Sequence, residues 1–478
     1  FFTIGHTSTS VSLACGLAKA RDLKGGHENI IAVIGDGSLS GGEAYEGLSN
    51  AGEMGTNLII VVNDNEMSIA ENHGGLYQNL KELRDTEGRS SCNFFRSLGL
   101  DYLYVGEGND IPSLVAAFAK VKDTSRPTVV HIHTQKGKGY APAEADREEF
   151  HWEMPFDLET GKPKVDCSGM EDYHSLTGKF LLEKMKEDHT VVAISSGTPT
   201  VIGFTPERRK QAGRQFVDVG IAEEHAVALA SGIAAGGGRP VYGVYSTFIQ
   251  RCYDQLSQDL CINGNPAVIT VFMGTVAGMN DVTHLGFFDI PLISNIPNMV
   301  YLAPTCSEEY FAMLEWAVRQ TEYPVAIRVP GVAVVHRKEE FDTDYSELNR
   351  YKMTARGETV AILALGSFYD LGQALKNKLR EESGVEATLI NPRYITGLDE
   401  PMLEELKVGH RIVVTLEDGV LDGGFGEKIA RYYGNSEMRV LNYGLRKEFA
   451  DRYNLDELMK ANRLTDKQMA EDIAGILE

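Results

Sequence analysis

Several features that would define a function class are absent from this sequence of 478 residues. No two cysteines have the CxxC spacing of metal and redox motifs. No run of about 18 apolar residues is long enough to cross a bilayer. The six cysteines are scattered, at Cys15, Cys92, Cys167, Cys252, Cys261 and Cys306. This pattern predicts reduced thiols in a cytoplasmic protein that does not bind membranes.

Positive charge is also in short supply. The chain has 46 Lys and Arg against 68 Asp and Glu, which gives a formal net charge of −22. Such a surface repels phosphate backbones and anionic lipid headgroups, and this disfavours nucleic acid or a membrane as the main partner. A pocket can still be locally basic, so the composition favours small-molecule substrates and does not exclude anionic ones.

What the chain does contain is a regular alternation of β-rich runs and amphipathic helical stretches. This alternation is typical of the α/β class, with mostly parallel sheets flanked by helices. The predicted strands are Ile30–Ile34, Leu58–Val62, Thr128–His133, Val191–Ile194, Pro240–Tyr245, Ala267–Phe272, Val325–Arg328, Thr359–Leu363, Ala387–Ile390 and Arg411–Leu416.

Two polar stretches without a helical period, 152–175 and 333–350, interrupt this alternation and are interpreted as linkers. They predict three α/β domains, at residues 1–151, 176–332 and 351–478. The first residues, "FFTI", have a strand-like composition and no initiator Met. We therefore expect the chain to begin inside its first domain, without that domain's N-terminal part.

The first two predicted strands end in small, acidic and amide residues. "GDG" at 35–37 follows the first strand and "NDN" at 63–65 follows the second. Ligands collect at the carboxyl ends of parallel strands, and a helix beginning near Glu43 offers its N–H groups to a phosphate. Either triplet alone is more typical of a tight turn. Together they predict a diphosphate–Mg²⁺ site with Asp36 and Asn65 as oxygen ligands.

This pair of triplets resembles the diphosphate–metal motif of thiamine-diphosphate enzymes of the transketolase family. Further stretches are similar to the 1-deoxy-D-xylulose-5-phosphate synthase family, occur in that family's order and span nearly the whole chain. They are "GHTSTS" (5–10), "NDNEMSI" (63–69), "KGKGYAPAE" (136–144), "DVGIAEEHAV" (218–227), "YSTFIQRCYDQ" (245–255), "GMNDVTHLGFFD" (278–289) and "AIRVPG" (326–331).

The resemblance implies a function and an architecture. It implies a homodimer with thiamine diphosphate and Mg²⁺ as cofactors. It also implies condensation of pyruvate with D-glyceraldehyde 3-phosphate to 1-deoxy-D-xylulose 5-phosphate and CO2. This reaction is the entry step to isoprenoid, thiamine and pyridoxal precursors. Residues 1–151 would bind the diphosphate, 176–332 the pyrimidine, and 351–478 would form the transketolase-type C-terminal domain.

In the first domain the resemblance implies a set of site residues. Asp36, Asn65 and the backbone carbonyl of Met67 would bind Mg²⁺. The cofactor would contact Gly37, Ser38, Lys136, Ser8 and Ser10, and His6 would be catalytic. The residues alone leave other interpretations open. Ser8 and Ser10 could cap the helix predicted over Val11–Ala20, and Lys136 could be a solvated surface lysine. We interpret His131 and His133 as packing residues, since no third metal ligand accompanies them.

In the second domain the resemblance implies that Glu223 is the carboxyl group acting on the cofactor's aminopyrimidine. Without it, Glu223 and Glu224 would simply complement a helix dipole. Phe248 and Arg251 would contact the aminopyrimidine, although they could also be a core aromatic and a structural ion pair. Tyr245, His284 and Arg328 would line the substrate pocket, with His284 also catalytic and Arg328 holding a phosphate.

The chain departs from the family pattern at the substrate pocket. Met273 stands where the family usually has an arginine, and Asn280 stands where it usually has an aspartate, with Asp281 next to it. These departures leave open a transketolase-like enzyme with a different ketose donor or aldehyde acceptor. A hypothesis of a different class, a non-catalytic thiamine-diphosphate-binding protein, also stays open. In residues 351–478 we find no catalytic constellation and interpret Glu417-Asp418 as a turn.

Overall fold

The computed structural model describes residues 1–165 and 169–477, so Cys167 lies outside the described residues. The chain divides into two compact units. The first unit comprises residues 1–170, 195–199 and 218–223, and the second comprises 171–194, 200–217 and 224–478.

The first unit contains a four-stranded parallel sheet with the strand order β1-β2-β4-β3. Its strands are β1 (Ile31–Gly35), β2 (Ile59–Asp64), β3 (Asp101–Val105) and β4 (Thr128–His133). Its helices are α1 (Ser10–Leu23), α2 (Gly42–Glu53), α3 (Gly75–Asp85), α4 (Phe94–Ser97), α5 (Ile111–Val121) and α6 (Ala141–Ala145).

The two faces of this sheet are covered differently. Alternate side chains of β1 and β2 pack with apolar residues of α1, α2 and α3 on one face. On the other face, β2 and β4 pack with Ala117 and Val121 of α5. Ile31 and Val33 of the edge strand β1 are exposed. The core of the first unit is therefore centred on β2 and β4, the strands with a neighbour on each side.

The second unit contains two sheets. The six-stranded sheet has the order β6-β5-β7-β8-β10-β9 and the five-stranded sheet has the order β11-β13-β12-β14-β15. Their strands are β5 (Val191–Ser195), β6 (Phe216–Asp218), β7 (Arg239–Tyr245), β8 (Val268–Phe272), β9 (Val300–Leu302), β10 (Val325–Arg328), β11 (Lys352–Ala355), β12 (Thr359–Ala364), β13 (Thr388–Asn391), β14 (His410–Val420) and β15 (Arg439–Leu445).

Helices flank both of these sheets. β11 is antiparallel to β13, whereas β5, β7, β8, β10 and β9 pair in parallel, as do β13, β12, β14 and β15. The helices are α7 (Tyr173–Glu187), α8 (Pro206–Ala212), α9 (Glu223–Ala235), α10 (Asp289–Ser294), α11 (Ser307–Arg319), α12 (Tyr369–Ser383), α13 (Glu400–Gly409), α14 (Phe425–Tyr433), α15 (Leu455–Ala461) and α16 (Asp466–Leu477). The α/β class with mostly parallel sheets is confirmed.

All ten predicted strands are present, with ends within two residues of the prediction except at β14, which continues to Val420. The strands that were not predicted are short or lack a continuous apolar run: β3, β6, β9, β11 and β15. The predicted linker 333–350 contains no helix or strand in the described structure, whereas α7 begins inside the predicted linker 152–175. The three domain boundaries stay a prediction. No described helix is both long and apolar enough to span a membrane.

Candidate active site

The loops after β1 and β2 meet at one edge of the first sheet. β1 and β2 are parallel, with Gly35 beside Asn63, and the Asp36 amide donates to the Asn63 carbonyl at 3.1 Å. Gly37 begins a short 3₁₀ turn, and a Cβ there would lie 2.9 Å from Cα of Ser68. The predicted neighbourhood of the two strand ends is confirmed, and its close approach requires glycine at 37.

The Asp36 carboxyl group is buried and short of positive charge. It is 1% exposed, it accepts a hydrogen bond from Asn72 Nδ2, 2.7 Å from Oδ2, and the backbone amides of Asn65 and Gly37 also stabilise it. No described cationic side chain forms an ion pair with it. Burial, together with the negative charge of Asp64, raises the pKa of Asp36 to about 7. A group in this situation is stabilised as a carboxylate by a bound cation.

The atoms around Asp36 form an oxygen donor set. Asn65 Oδ1 accepts from the Met67 amide at 3.1 Å, which curls the loop after β2 and leaves the amide oxygen a second lone pair. Ser68 Oγ and Asn72 Oδ1 are buried without a partner among the described residues. Within the same residues no cluster of three His, Cys, Asp or Glu could hold a metal. One carboxylate plus neutral oxygens fits Mg²⁺ with a phosphate ligand.

Lys136 is not a solvated surface residue. Its Nζ donates to the carbonyl of Ser68 at 2.6 Å and to that of Ile69 at 3.3 Å. Burial lowers the pKa of Lys136, and the charge of Asp36 opposes that shift. Lys136 therefore brings a positive charge close to the loop after β2 without neutralising Asp36 through a direct ion pair.

A second buried acid, Asp64, has the positively charged partner that Asp36 lacks. Its Oδ2 pairs with Arg84 Nη1 and lies 2.9 Å from His131 Nε2. His131 Nδ1 is in turn 2.7 Å from the Tyr102 hydroxyl. Burial alone would raise the pKa of Asp64, but the His131 hydrogen bond and the Arg84 charge lower it to about 2. His131 is therefore part of a buried polar network with Asp64 and Tyr102, and the interpretation as a packing residue misses these two hydrogen bonds.

The serines of "GHTSTS" do not cap α1. The N-cap residue of α1 is Thr9, which makes no side-chain capping bond, so the capping interpretation is wrong. Ser8 has a positive φ of 79° and donates to the Ser38 carbonyl at 2.7 Å. Ser10 Oγ is buried and has no partner among the described residues. Ser8 thus connects the loop of His6 to the turn that follows Asp36.

Glu223 belongs to the same compact unit as Asp36. It is the first residue of α9 and is 2% exposed, whereas Glu224 is half-buried. The segment that carries it is fixed by the Ile221 amide, which donates to Ser40 Oγ at 2.8 Å. Ser40 lies in the 3₁₀ turn that begins at Gly37. One short turn is therefore bonded to both the segment of Ser8 and the segment of Glu223.

The second unit brings together three of its predicted site residues. Tyr245, at the end of β7, has its ring centroid 5.8 Å from that of Phe248, which lies 5.6 Å from that of His284. Arg251 is half-buried on the 3₁₀ helix that follows Phe248, and its amide donates to the Phe248 carbonyl. The cluster has aromatic faces and one imidazole, which suits a pocket for a flat ring or a small substrate.

Asp281, rather than Asn280, accompanies His284. Asp281 Oδ1 accepts from Thr283 Oγ1 at 2.5 Å, and Thr283 Oγ1 is 2.7 Å from His284 Nδ1. Asp281 Oδ1 itself lies 3.7 Å from that nitrogen. Asn280 instead donates to the Tyr453 carbonyl. The departure from the family pattern at 280 therefore leaves an acid beside the histidine, one position later.

Arg328 makes contacts typical of a structural ion pair. It is 4% exposed, and its Nε and Nη2 lie 2.7 and 3.1 Å from the two oxygens of Asp289. Nη2 also donates to the Asp418 carbonyl at 2.6 Å. Burial alone would lower the pKa of Arg328, but the charges of Asp289 and Asp418 raise it. The positive charge of Arg328 is thus already balanced inside the protein.

Several residues that organise the site belong to no motif recognised in the sequence. Tyr77 of α3 donates its hydroxyl to the carbonyls of Asp36 and Gly37 at 3.2 and 3.4 Å. Asn72 and Arg84 bind the carboxyl groups of Asp36 and Asp64. All three lie within residues 72–84. Asp64, the central residue of "NDN", was the one sequence signal that could have pointed to these partners, because it is an acidic residue at the end of a strand.

A separate cleft of about 670 Å³ in the first unit includes none of the predicted site residues. Tyr45, Asn79 and Arg96 contribute to its lining. It contains neither the buried carboxylate nor the glycine turn that a diphosphate site needs. The chemistry of the side chains therefore places the candidate site at the strand ends and not in this cleft.

Family models match three parts of the chain. The model described as 1-deoxy-D-xylulose-5-phosphate synthase matches residues 1–92. The transketolase pyrimidine binding domain matches 171–334, and the transketolase C-terminal domain matches 350–469.

Curated relatives match over nearly the full length. The 1-deoxy-D-xylulose-5-phosphate synthase of Clostridium tetani is 35% identical over 515 aligned positions, covering 100% of this chain and 82% of that protein. The enzyme of the same name from Lachnoclostridium phytofermentans is 35% identical and covers 98% of this chain and 81% of that protein.

Solved structures agree with the fold. A split-gene transketolase, described as an inactive beta4 tetramer, has a TM-score of 0.54 at 22% identity, covering 64% of this chain and 98% of that chain. A Pichia stipitis transketolase mutant has a TM-score of 0.52 at 16% identity, covering 98% of this chain and 79% of that chain. At these identities the likeness establishes the transketolase-like fold.

Proposed function

This chain belongs to the 1-deoxy-D-xylulose-5-phosphate synthase family, and from that premise we propose that it joins pyruvate to D-glyceraldehyde 3-phosphate. The products are 1-deoxy-D-xylulose 5-phosphate and CO2, so the enzyme is a transketolase-type transferase. Thiamine diphosphate and Mg²⁺ are the cofactors of this family. The observation that carries the proposal is the buried, cation-free Asp36 in the same compact unit as the buried Glu223.

The first unit would hold the metal and the diphosphate. Asp36, Asn65 and the Met67 carbonyl supply oxygen ligands for Mg²⁺. The backbone of Gly37 and Ser38 can approach a diphosphate closely, since the turn has no side chain at 37. Lys136 adds positive charge beside the same loop. When bound, thiamine diphosphate supplies the carbon nucleophile for decarboxylation of a 2-oxo acid.

Glu223 and His284 would handle protons. A carboxyl group that is 2% exposed is held away from bulk water, so it can keep a hydrogen bond to a ring nitrogen during turnover. His284 Nδ1 lies 2.7 Å from Thr283 Oγ1, and its imidazole would exchange a proton with a substrate oxygen. His6 is proposed as a further catalytic group and Ser8 and Ser10 as cofactor contacts. Phe248 and Arg251 would contact the aminopyrimidine ring, and Tyr245 would contact the substrate.

A second candidate function has one specific observation in its favour. An acceptor phosphate needs positive charge, but Arg328 is balanced by Asp289 and the usual arginine is replaced by Met273. These contacts favour an acceptor aldehyde without a phosphate, or a phosphate held by other cations. The donor half of the reaction does not depend on this choice.

The test is a steady-state assay of purified enzyme with thiamine diphosphate and Mg²⁺. Release of CO2 from pyruvate is measured alone, with D-glyceraldehyde 3-phosphate and with D-glyceraldehyde. We expect D-glyceraldehyde 3-phosphate to accelerate release and to yield 1-deoxy-D-xylulose 5-phosphate. Equal kcat/KM for the two aldehydes would favour the second candidate. No CO2 release under any condition would leave the non-catalytic hypothesis.

We also propose that the enzyme is a cytoplasmic homodimer. The five described cysteines are free thiols, as expected in a reducing compartment. Size-exclusion chromatography with light scattering tests the oligomer, since a dimer has twice the mass of the 52.5 kDa chain.

A further inference from the structure

The loop from Met273 to Gly286 carries His284 and contains the positions at which this chain departs from its family's pattern. It begins where β8 ends, with Met273 at a φ of 57°. At Gly274 a Cβ would lie 3.0 Å from Arg328 Nε and 3.1 Å from Asp289 Oδ2. At Gly286 a Cβ would lie 2.0 Å from the Met273 carbonyl oxygen. Both ends of the loop are therefore closed tightly against the six-stranded sheet.

The middle of the same loop is bonded to residues that follow the five-stranded sheet. The Tyr453 hydroxyl donates to the Val276 carbonyl at 2.7 Å, and the Arg452 amide donates to the Asn280 carbonyl at 2.6 Å. The Asn280 side chain returns a bond to the Tyr453 carbonyl at 3.1 Å. Val282 donates its amide to Asp451 Oδ1 at 3.2 Å. These bonds cover the stretch immediately before His284.

A further contact comes from the end of β14. Asp418 Oδ1 accepts from the Val276 amide at 2.8 Å, and its Oδ2 accepts from Ser367 Oγ at 2.6 Å. Asp418 is 1% exposed. Glu417 and Asp418 lie within β14, so the turn expected there from the sequence is wrong, and the Asp418 carboxylate holds the loop of His284.

We propose that residues 451–453, together with Asp418, are positioning residues that set the place of His284 for the acceptor aldehyde. The C-terminal part of the chain then contributes to acceptor binding without touching the substrate. Asn280 connects the loop to Tyr453 through the hydrogen bond of its side chain, and Asp281 orients His284 through Thr283. This proposal rests on the proposed function, since it concerns the acceptor of that reaction.

The test uses Tyr453, which is half-buried, and Asp451, which is exposed; both lie outside the proposed catalytic machinery. Tyr453→Phe removes the bond to Val276, and Asp451→Ala removes the acceptor for the Val282 amide. Asp451→Asn keeps an oxygen at that place and serves as the conservative rescue. Tyr443→Phe is the matched control, because it removes a tyrosine hydroxyl that bonds Asp472 instead of the loop.

Two readouts are compared on the holoenzyme. Hydrogen exchange measured by mass spectrometry reports on peptides within 273–286, and steady-state kinetics report KM for each substrate. For Tyr453→Phe and Asp451→Ala we expect faster exchange in the loop. We also expect KM for the aldehyde to rise roughly 2- to 12-fold, the effect of one hydrogen bond, with KM for pyruvate changed less than twofold. Asp451→Asn and Tyr443→Phe should resemble the wild type in both.

Either of two results overturns the proposal. Unchanged exchange in both Tyr453→Phe and Asp451→Ala would mean that these bonds do not hold the loop. Faster exchange with unchanged kinetics for both substrates would mean that the loop's position does not matter for the acceptor. Failure of the proposed function is distinguished by the wild type, which would then form no product from pyruvate and D-glyceraldehyde 3-phosphate.

Discussion

Asp36 in the first unit and Arg328 in the second are both buried charged residues that family motifs mark as ligand-binding, yet their surroundings differ. Asp36 is bonded to an amide and has no cationic partner among the described residues. Arg328 has both oxygens of Asp289 and the Asp418 carbonyl around its guanidinium. A buried charge without a counter-charge is costly unless a ligand supplies one, whereas a balanced pair is already complete.

The presence or absence of a counter-charge distinguishes ligand-binding residues from structural residues better than a match to a family motif does. Asp64, one strand end away from Asp36, makes the same point, because Arg84 and His131 keep its pKa low. Of the two acids at this sheet edge, only Asp36 is left in need of a cation.

The largest effect is expected from Asp36→Ala. It removes the one charged protein ligand proposed for Mg²⁺, so we expect no detectable Mg²⁺-dependent binding of thiamine diphosphate by isothermal titration calorimetry. The control is Asp85→Ala, which removes an exposed acid that pairs with Lys81 on α3. Unchanged cofactor affinity in Asp36→Ala would show that the metal site lies elsewhere.

Arg328→Leu should act on stability first. It leaves the Asp289 carboxylate buried without its partner, and breaking such a pair costs about 3–5 kcal/mol. Urea unfolding measures the change, and the double variant Arg328→Leu with Asp289→Leu should recover part of it. Near-wild-type stability combined with a raised KM for D-glyceraldehyde 3-phosphate would restore the phosphate-binding interpretation of Arg328.

The sequence predicted the fold well because strands and helices give local signals; the strand-end site, predicted from local signals of the same kind, stays a prediction. Alternating apolar runs mark strands, and small or acidic residues directly after them mark a ligand edge. The partners of charged side chains follow no such pattern. Asp289 lies 39 positions before Arg328, and Asn72 lies 36 positions after Asp36. Only packing brings these groups together, so no local signal could tell a balanced charge from an unbalanced one.

The substrate pocket also depends on long-range contacts that local sequence patterns do not reveal. Met273 and Asn280 were recognised as departures, but the consequence of Asn280 depends on Tyr453, 173 positions later. Likewise, Ser8 had a plausible local function as a helix cap, and the structure uses it for a bond to Ser38. Ser8 makes this long-range contact, with a positive φ, in place of the local capping bond that its position in the sequence suggested.

Glu223→Gln sharpens the comparison with a third buried acid. It keeps the size of the side chain and removes its charge, so thiamine diphosphate should still bind with similar affinity by calorimetry. CO2 release from pyruvate should fall by at least about 10², the scale of general acid–base catalysis. Glu224→Gln, at the half-buried neighbour, is the matched control and should retain activity. Wild-type turnover in Glu223→Gln would remove it from the mechanism.

The smallest effect is expected for Glu417, whose buried carboxyl group is stabilised by hydrogen bonds from backbone amides. Its two carboxyl oxygens accept from the amides of Phe425 and Gly426 at 2.8 Å each. Burial nevertheless raises the pKa of Glu417 from 4.5 to about 7. Between these two values the folded protein holds a proton that the unfolded chain has lost. The contribution of Glu417 to the free energy of unfolding is therefore complete below pH 4.5 and is lost as pH rises through 7. The free energy of unfolding falls by at most about 1.4 kcal/mol per pH unit in this window.

Glu417→Gln cannot titrate, so the difference in free energy of unfolding between wild type and variant should change across this window and be constant above it. Urea unfolding of both proteins from pH 5 to pH 8.5 measures that difference, and a difference independent of pH would show that backbone bonding keeps Glu417 ionised throughout.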